Sequence, residues 1–394
     1  MPPVPLLFLS DAPELPTGLA RITRDLATLA SRLPEFRVGT LGRGGNGTRQ
    51  LPFTTYVFSE REQWGENIIA RVWDDFAGDM RGIIFTIWDL SRLRWFSRPA
   101  GLLDPDLRRF LEAGHFSRWG YFPIDSTGPK DRLSALSSDT LRGYDRVLTY
   151  TPWASSLVAR FIGNEAAAGR GVDWLPHGLN LRVFAPSLQR EARKVFNGFV
   201  HANDLLVGVV MSNQARKDWG LTAAVCSALH VHLGSRIRFW WHVDVMERHW
   251  SIHALLTDFG LGDCTVVTQH WEDRELARAY AACDLTLLPS LGEGWGYPIA
   301  ESLACGTPVL HGDYAGGAHL IPRLEWKVPV QAWRLDTLHN CVRPVFDPDA
   351  WVERAVAALG EPTDHEFCRA SVEHLSWDRL WNGVWKKWIL NGLT

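Results

Sequence analysis

The chain has 394 residues, 46% of them hydrophobic and 22% charged, with a formal net charge of −3. That length calls for two domains of comparable size, and the composition is that of a globular protein. The near-neutral balance gives no global electrostatic reason to bind nucleic acid or anionic lipid, and no apolar run approaches the ~20 residues of a membrane span.

In chain order, the first apolar run, Val4 to Ser10, reads as a buried strand. Met1 to Leu9 has neither the basic flank nor the small-residue cleavage site of a signal peptide, so a cytoplasmic location is expected. A helix should begin near Leu19, with Leu19, Ile22, Leu26 and Leu29 on one face and Thr17 as its N-cap. Strands are expected from Gly82 to Trp88, Trp119 to Pro123 and Arg146 to Tyr150, and a helix from Pro152 to Phe161 with Pro152 in its first turn. Among them, Arg92-Leu93-Arg94-Trp95-Phe96-Ser97-Arg98 interleaves guanidinium and aromatic groups. It reads either as a solvated Arg-rich surface or as a grip for a polyanion, a base or a sugar.

Leu175 to Asn180 looks like a strand end and a crossover between domains. A second α/β set follows, with strands at Leu205 to Met211, Arg236 to Val243, Cys264 to Thr268 and Leu285 to Pro289. Alternation of apolar runs with helical patterns indicates parallel sheets in two α/β halves, which would bind ligand at the carboxyl ends of their strands. The 6 cysteines contain no C-x-x-C pair and read as reduced core thiols. Near the end, Trp377, Trp381, Trp385 and Trp388 make one helical stripe beside Lys386 and Lys387. The stripe is expected to pack on the protein's own domains, with a membrane-surface helix as the alternative.

The most informative segment is Pro289-Ser290-Leu291-Gly292-Glu293-Gly294-Trp295-Gly296-Tyr297-Pro298-Ile299-Ala300-Glu301, continuing through Ala304-Cys305-Gly306-Thr307-Pro308-Val309. It follows an apolar strand and runs into a short helix, for which Pro298 suits the first turn and Gly306 the stop. Gly294 and Gly296 let backbone approach a ligand, and free N–H groups at a helix start can meet phosphate oxygens. Two carboxylates, one before the helix and one within it, are bidentate acceptors for vicinal hydroxyls.

This stretch resembles the E-x7-E signature of retaining GT-B glycosyltransferases, specifically glycosyltransferase family 4 (group 1), in both glutamates, the G-x-G between them, the proline and the downstream Gly-Thr-Pro-Val. The resemblance implies a GT-B fold of two Rossmann-like domains facing an interdomain cleft. Residues 1–180 would form the acceptor domain and 181–370 the nucleotide-sugar donor domain, with a C-terminal helix, 371–394, crossing back to the first. It implies that Glu293 binds hydroxyls of the transferred sugar and Glu301 the ribose, with Gly294, Trp295, Gly296 and Tyr297 as further donor contacts. In Met211-Ser212-Asn213-Gln214-Ala215-Arg216-Lys217, Lys217 matches a cation that holds the donor diphosphate. The usual Arg is replaced by Ser212 or Asn213, so Arg216 is the candidate for its task. Fixed cations there would stabilise the leaving diphosphate. Leu15-Pro16-Thr17-Gly18-Leu19-Ala20-Arg21 resembles the family's glycine loop, in which the Gly18 backbone would face the diphosphate.

Asp125 and Asp89, at or near strand ends, are candidates to orient an acceptor hydroxyl or take its proton, or simply to cap those strand ends. His177 stands where the family has Asn-Gly and reads as structural. No D-x-D loop and no metal-ligand spacing is visible, so a metal-free mechanism without cofactor is expected. The donor implied is a UDP-hexose of glucose type, with GDP or ADP sugars as alternatives. The acceptor is left open among a glycan, a lipid, a small molecule, a protein or a hydroxymethylated base in DNA. For DNA, Arg92, Arg94, Arg98 and Trp95 or Phe96 would be the contacts. A non-transferase GT-B enzyme such as a sugar-nucleotide epimerase, and an inactive sugar-nucleotide-binding protein, are the competing classes.

Overall fold

The computed structural model describes residues 2–97, 102, 104–162, 172–337 and 340–393. The chain divides into two compact units: unit 1 is Met1–Leu175 with Asp336–Cys341 and Trp381–Thr394, and unit 2 is Pro176–Leu335 with Val342–Leu380. The first boundary therefore stands at 175, where 180 was expected, and the last segment rejoins unit 1 from 381, where 371 was expected.

Unit 1 is built on β1 (Val4–Asp11), β2 (Phe36–Arg43), β3 (Thr54–Phe58), β4 (Gly82–Thr86), β5 (Phe116–Phe122), β6 (Arg146–Thr149) and β7 (Val172–Trp174). They form one sheet in the order β3-β2-β1-β4-β5-β6-β7, and every pairing is parallel. Leu6 to Leu9 of β1 and the whole of β4 are buried, as central strands covered on both faces require. The helix Gly18–Ala30 starts on Thr17, whose side chain accepts from Ala20 N, and buries Ile22, Leu26 and Leu29.

Unit 2 repeats the plan with β8 (Leu205–Val210), β9 (Ile237–His242), β10 (Thr265–Thr268), β11 (Leu285–Leu288), β12 (Val309–Gly312) and β13 (Lys327–Val328) in the order β10-β9-β8-β11-β12-β13, again all parallel. An antiparallel pair, β14 (Ala332–Leu335) with β15 (Val342–Val345), is added near its end, and it leaves Trp333 and Leu335 exposed. In both sheets sequence-distant strands lie side by side with β1 or β8 central, the reversal of strand order that opens a crevice at the carboxyl ends.

The C-terminal tryptophans resolve as packing groups. Trp381, Trp385 and Trp388 are buried in unit 1. The Trp388 ring lies 5.2 Å from Trp119 and 5.9 Å from Phe85, and Trp385 lies 5.1 Å from Tyr121. Arg146 stacks over Trp388 at 3.8 Å from the ring centroid, and the Trp388 indole N–H donates to Asp173 at 2.9 Å. A π turn over Trp381–Trp385 resets the helical register between the flanking α-helical turns. Rings committed to a protein core cannot enter a lipid interface, so the membrane-surface alternative falls. Trp377 belongs to unit 2 and covers Gly178, where a methyl group would stand 2.1 Å from the indole. All six cysteines are free thiols, five of them buried. No helix among the described residues is long and apolar enough to cross a membrane.

Candidate active site

In unit 2 the loops after β8 and β11 are zipped together by backbone. Leu291 N donates to Arg216 O at 2.8 Å, and the Arg216 guanidinium donates to Gly292 O at 2.7 Å. This brings a short 3-10 turn, Ala215–Lys217, against the loop that carries Glu293. The Lys217 ammonium donates to Glu293 Oε1, and Arg216 Nη1 stands 3.6 Å from the same oxygen. Lys217 and Glu293 are both buried. Burial alone would push the Glu293 carboxyl up, but the Lys217 ammonium and the Arg216 guanidinium outweigh it and hold the group at about 2. Glu293 is therefore a fixed anion at neutral pH, and two cations converge on it. Asn213, considered as the replacement for an arginine, does other work. Its buried side chain donates to Val245 O, Met246 O and Trp250 O and accepts from Trp250 N, so it clamps the loop after β9.

Past Glu293 the chain turns through Gly296, with φ +102, into the helix Tyr297–Ala304, with Pro298 in its first turn, and leaves it through Gly306 at φ +85. Glu301 lies one turn inside and is buried, accepting from the Tyr280 hydroxyl at 3.0 Å. Gly294 is held by a second close approach. A methyl group on Gly316 would stand 2.2 Å from Gly294 O, and Gly317 N donates to Glu293 O at 3.2 Å. Trp295 is buried at 4.7 Å from His177 and 5.0 Å from Tyr297, so its ring serves packing of the loop. His177 is buried and stacks on Tyr297; burial drives it well below the usual histidine range, which fits a structural role.

In unit 1, Gly18 opens its helix at the carboxyl side of β1 and is exposed. Its neighbour Thr17 donates to Asp11 at 2.8 Å, and the Trp88 indole donates to the other oxygen of Asp11 at 2.9 Å. Asp89 pairs with Arg92 at 3.3 Å, and the Arg92 guanidinium lies over Trp64 at 4.3 Å. Arg94 pairs with Asp139 at 3.4 Å. Trp95 packs against the core, and Phe96 is fully buried between Phe116 and Tyr144. The expectation that Phe96 can stack on a base is thereby corrected, because its apolar ring is core. Arg98 lies outside the described residues. Asp125 is half-buried and accepts from Ser126 at 3.0 Å. Among the described residues, no group of three or more His, Cys, Asp or Glu side chains is arranged to hold a metal ion.

Sequence reasoning missed Tyr280, His311 and Asp11. Tyr280 lies on an otherwise ordinary amphipathic helix, Asp273–Ala282, and His311 on a four-residue strand, so neither stands in a readable motif. Asp11 ends β1 just before the quoted glycine loop, and its position was the one available signal.

Residues 247–326 match the family described as "Glycosyl transferases group 1". A D-inositol 3-phosphate glycosyltransferase of Thermobispora bispora is 31% identical over 144 residues, 35% of this chain and 34% of that protein. The chain spans less than half the length of this and similar curated relatives. Among solved structures, a sucrose-phosphate synthase from Thermosynechococcus elongatus superposes with a TM-score of 0.75 at 16% identity, covering 99% of this chain and 100% of that one. Anabaena HepE in complex with UDP-glucose gives a TM-score of 0.66 at 15% identity, covering 98% and 99%. The chain thus has the GT-B fold, with a glycosyl transferases group 1 segment at residues 247–326 that contains Glu293 and Glu301.

Proposed function

We propose that the protein is a retaining glycosyltransferase that moves a hexose from a nucleotide sugar, of UDP-glucose type, to an acceptor hydroxyl. The observation that carries this reading is the buried Glu293 carboxylate with Lys217 and Arg216 converging on it. A carboxylate kept ionised in a dry site is a strong acceptor for sugar hydroxyls, and cations fixed beside it suit a diphosphate that gathers charge as it leaves. Glu301 would hold the ribose, and Gly18, Gly294, Gly296 and Tyr297 would approach the donor. The Anabaena structure with UDP-glucose supports the choice of nucleotide and sugar.

In the step proposed, the bond from the anomeric carbon to the diphosphate oxygen breaks, and the acceptor oxygen bonds that carbon from the same face. The acceptor proton passes to the departing phosphate oxygen. Lys217 and Arg216 offset the charge on the diphosphate without requiring a metal ion. Asp89, Asp125, Arg92 and Arg94 are the acceptor-side candidates. With Phe96 buried and Arg92 and Arg94 each paired to a carboxylate, a sugar or polyol acceptor is favoured over DNA.

A thermal-shift screen of UDP-, GDP- and ADP-sugars tests the reading, since a ligand at 100 times its Kd adds ~2.7 kcal/mol of apparent stability. A hit is then incubated with neutral and phosphorylated sugars and the anomeric configuration of the product is read by NMR. No stabilisation by any nucleotide sugar would overturn the proposal, and an inverted product would overturn retention.

A further inference from the structure

One buried polar group beside Glu293 is unexplained by the roles above. His311, on β12, is 1% exposed. Its Nδ1 lies 2.8 Å from Leu288 O. A carbonyl only accepts, so the proton sits on Nδ1 and Nε2 carries a lone pair. That Nε2 is buried and has no hydrogen-bond partner among the described residues. Buried acceptors left without a partner are costly, so such a group calls for a reason.

The surroundings supply one. A methyl group on Gly317 would stand 2.5 Å from His311 Nε2 and 3.0 Å from Glu293 Cβ. The imidazole, the stem of Glu293 and the Gly317 backbone therefore meet at one point, with space for glycine only. Gly317 N in turn holds Glu293 O. The Leu288 bond fixes the ring from the β11 side, so the ring cannot turn away from this contact.

We infer that His311 is a positioning residue for Glu293, wedged in its neutral form under the Glu293–Gly317 contact so that the carboxylate is held where Lys217 and Arg216 converge. The inference rests on the glycosyltransferase reading for its effect on turnover, but not for the coupling itself. The charged groups that bear on the ring are Glu293 from the loop after β11, Lys217 from the turn after β8, and Asp313 from the chain after β12, itself 3.4 Å from Lys327. Burial is the main reason the ring stays neutral, and Lys217 adds to it, while the Leu288 bond, Glu293 and Asp313 act the other way. An imidazolium there would carry a proton on Nε2 into the Glu293–Gly317 contact and set a third cation against Lys217 and Arg216. It would compete for Glu293 and loosen its placement.

Two variants and one spectroscopic measurement test this. His311→Phe, similar in outline and unable to titrate, should lower kcat by about tenfold or more at pH 7.5 while UDP affinity stays within about twofold. Wild-type kcat should fall on the acid side as one proton is taken up below the usual histidine range. That limb should be absent in His311→Phe and in His311→Gln, the second variant guarding against a Phe substitution that fails to fold. Independently of turnover, the His311 ring is followed by NMR, its signal assigned by loss in His311→Gln. It should titrate at lower pH in Glu293→Gln and at higher pH in Lys217→Ala. An acid limb that persists in both His311 variants, or a His311 titration unmoved by both partner substitutions, would overturn the assignment. If no nucleotide sugar is used but the NMR shifts appear, the glycosyltransferase reading fails and the coupling of His311 to Glu293 stands.

Discussion

The Tyr280 hydroxyl donates to Glu301 Oε2 at 3.0 Å, with both side chains buried. Tyr280 is itself held, because its backbone oxygen accepts from the Thr307 hydroxyl at 2.7 Å, just past the end of the helix that carries Glu301. The ribose contact proposed for Glu301 would need its carboxylate aimed before the ligand arrives, and this bond fixes one of its oxygens. Hydrogen bonds to charged groups contribute about 1.5–3 kcal/mol. Tyr280→Phe should therefore weaken UDP binding by about tenfold, and Glu301→Ala by more, as measured by calorimetry. Unchanged UDP affinity in Glu301→Ala would remove that residue from the nucleotide site.

Lys217→Ala should slow sugar transfer by about 10²-fold or more, the usual cost of removing one preorganised charge at a leaving group. Arg216→Ala should cost less, since Arg216 stands at 3.6 Å from Glu293 and is partly engaged with Gly292 O. Breaking a buried pair also costs about 3–5 kcal/mol of stability, so urea unfolding must accompany the kinetics. Turnover within twofold of wild type in a folded Lys217→Ala protein would exclude Lys217 from the reaction.

Stability should decline with acid in two stages. His177 and His311 are buried, and burial lowers both below the ordinary value of 6.5. The unfolded chain therefore binds protons below pH 6.5 that the folded one refuses, and stability is lost as pH falls from there, by about 1.4 kcal/mol per such histidine and pH unit. Glu293 falls from 4.5 to about 2, so its contribution is intact above 4.5 and disappears as pH drops toward 2. Urea midpoints followed by tryptophan fluorescence should fall already between pH 7 and 5. A flat profile down to pH 5 would mean that neither histidine is neutral in the folded protein.

Activity should survive chelation. Two side-chain cations already face the place proposed for the diphosphate, so EDTA-treated protein is expected to keep most of its rate with a UDP-sugar. Complete loss restored by Mg²⁺ or Mn²⁺ would show that Lys217 and Arg216 do not suffice.

The central strands were legible because burial on both faces makes them apolar runs: β1, β4 and β8 are of this kind. β2, β3 and the β14–β15 pair were not. β2 reads FRVGTLGR, with arginines and glycines breaking the run, and β3 is a half-exposed edge strand. Glu293 and Glu301 stood out through the resemblance of their stretch to the E-x7-E signature, and the turn at Gly296 was legible because its φ of +102 suits glycine. Lys217 was named as a candidate, but its pairing with Glu293 and that of Tyr280 with Glu301 were not legible, since the first two stand 76 residues apart and the second two 21 apart. Only the fold brings them together. Arg92 and Trp95 show the opposite limit. Their local pattern read as a solvated surface or as a surface grip, whereas Trp64 and the core cluster decide what they touch.

The return of Trp381–Thr394 to unit 1 sets an order of events during synthesis. The ribosome delivers β1 to β7 before unit 2, yet the rings that cover Trp119, Phe85 and Tyr121 come after unit 2 in the chain. Unit 2, whose segments end at Leu380, can be complete when those last residues emerge. The nascent N-terminal sheet must wait through that interval with an uncovered aromatic face, the kind of surface that holding chaperones bind.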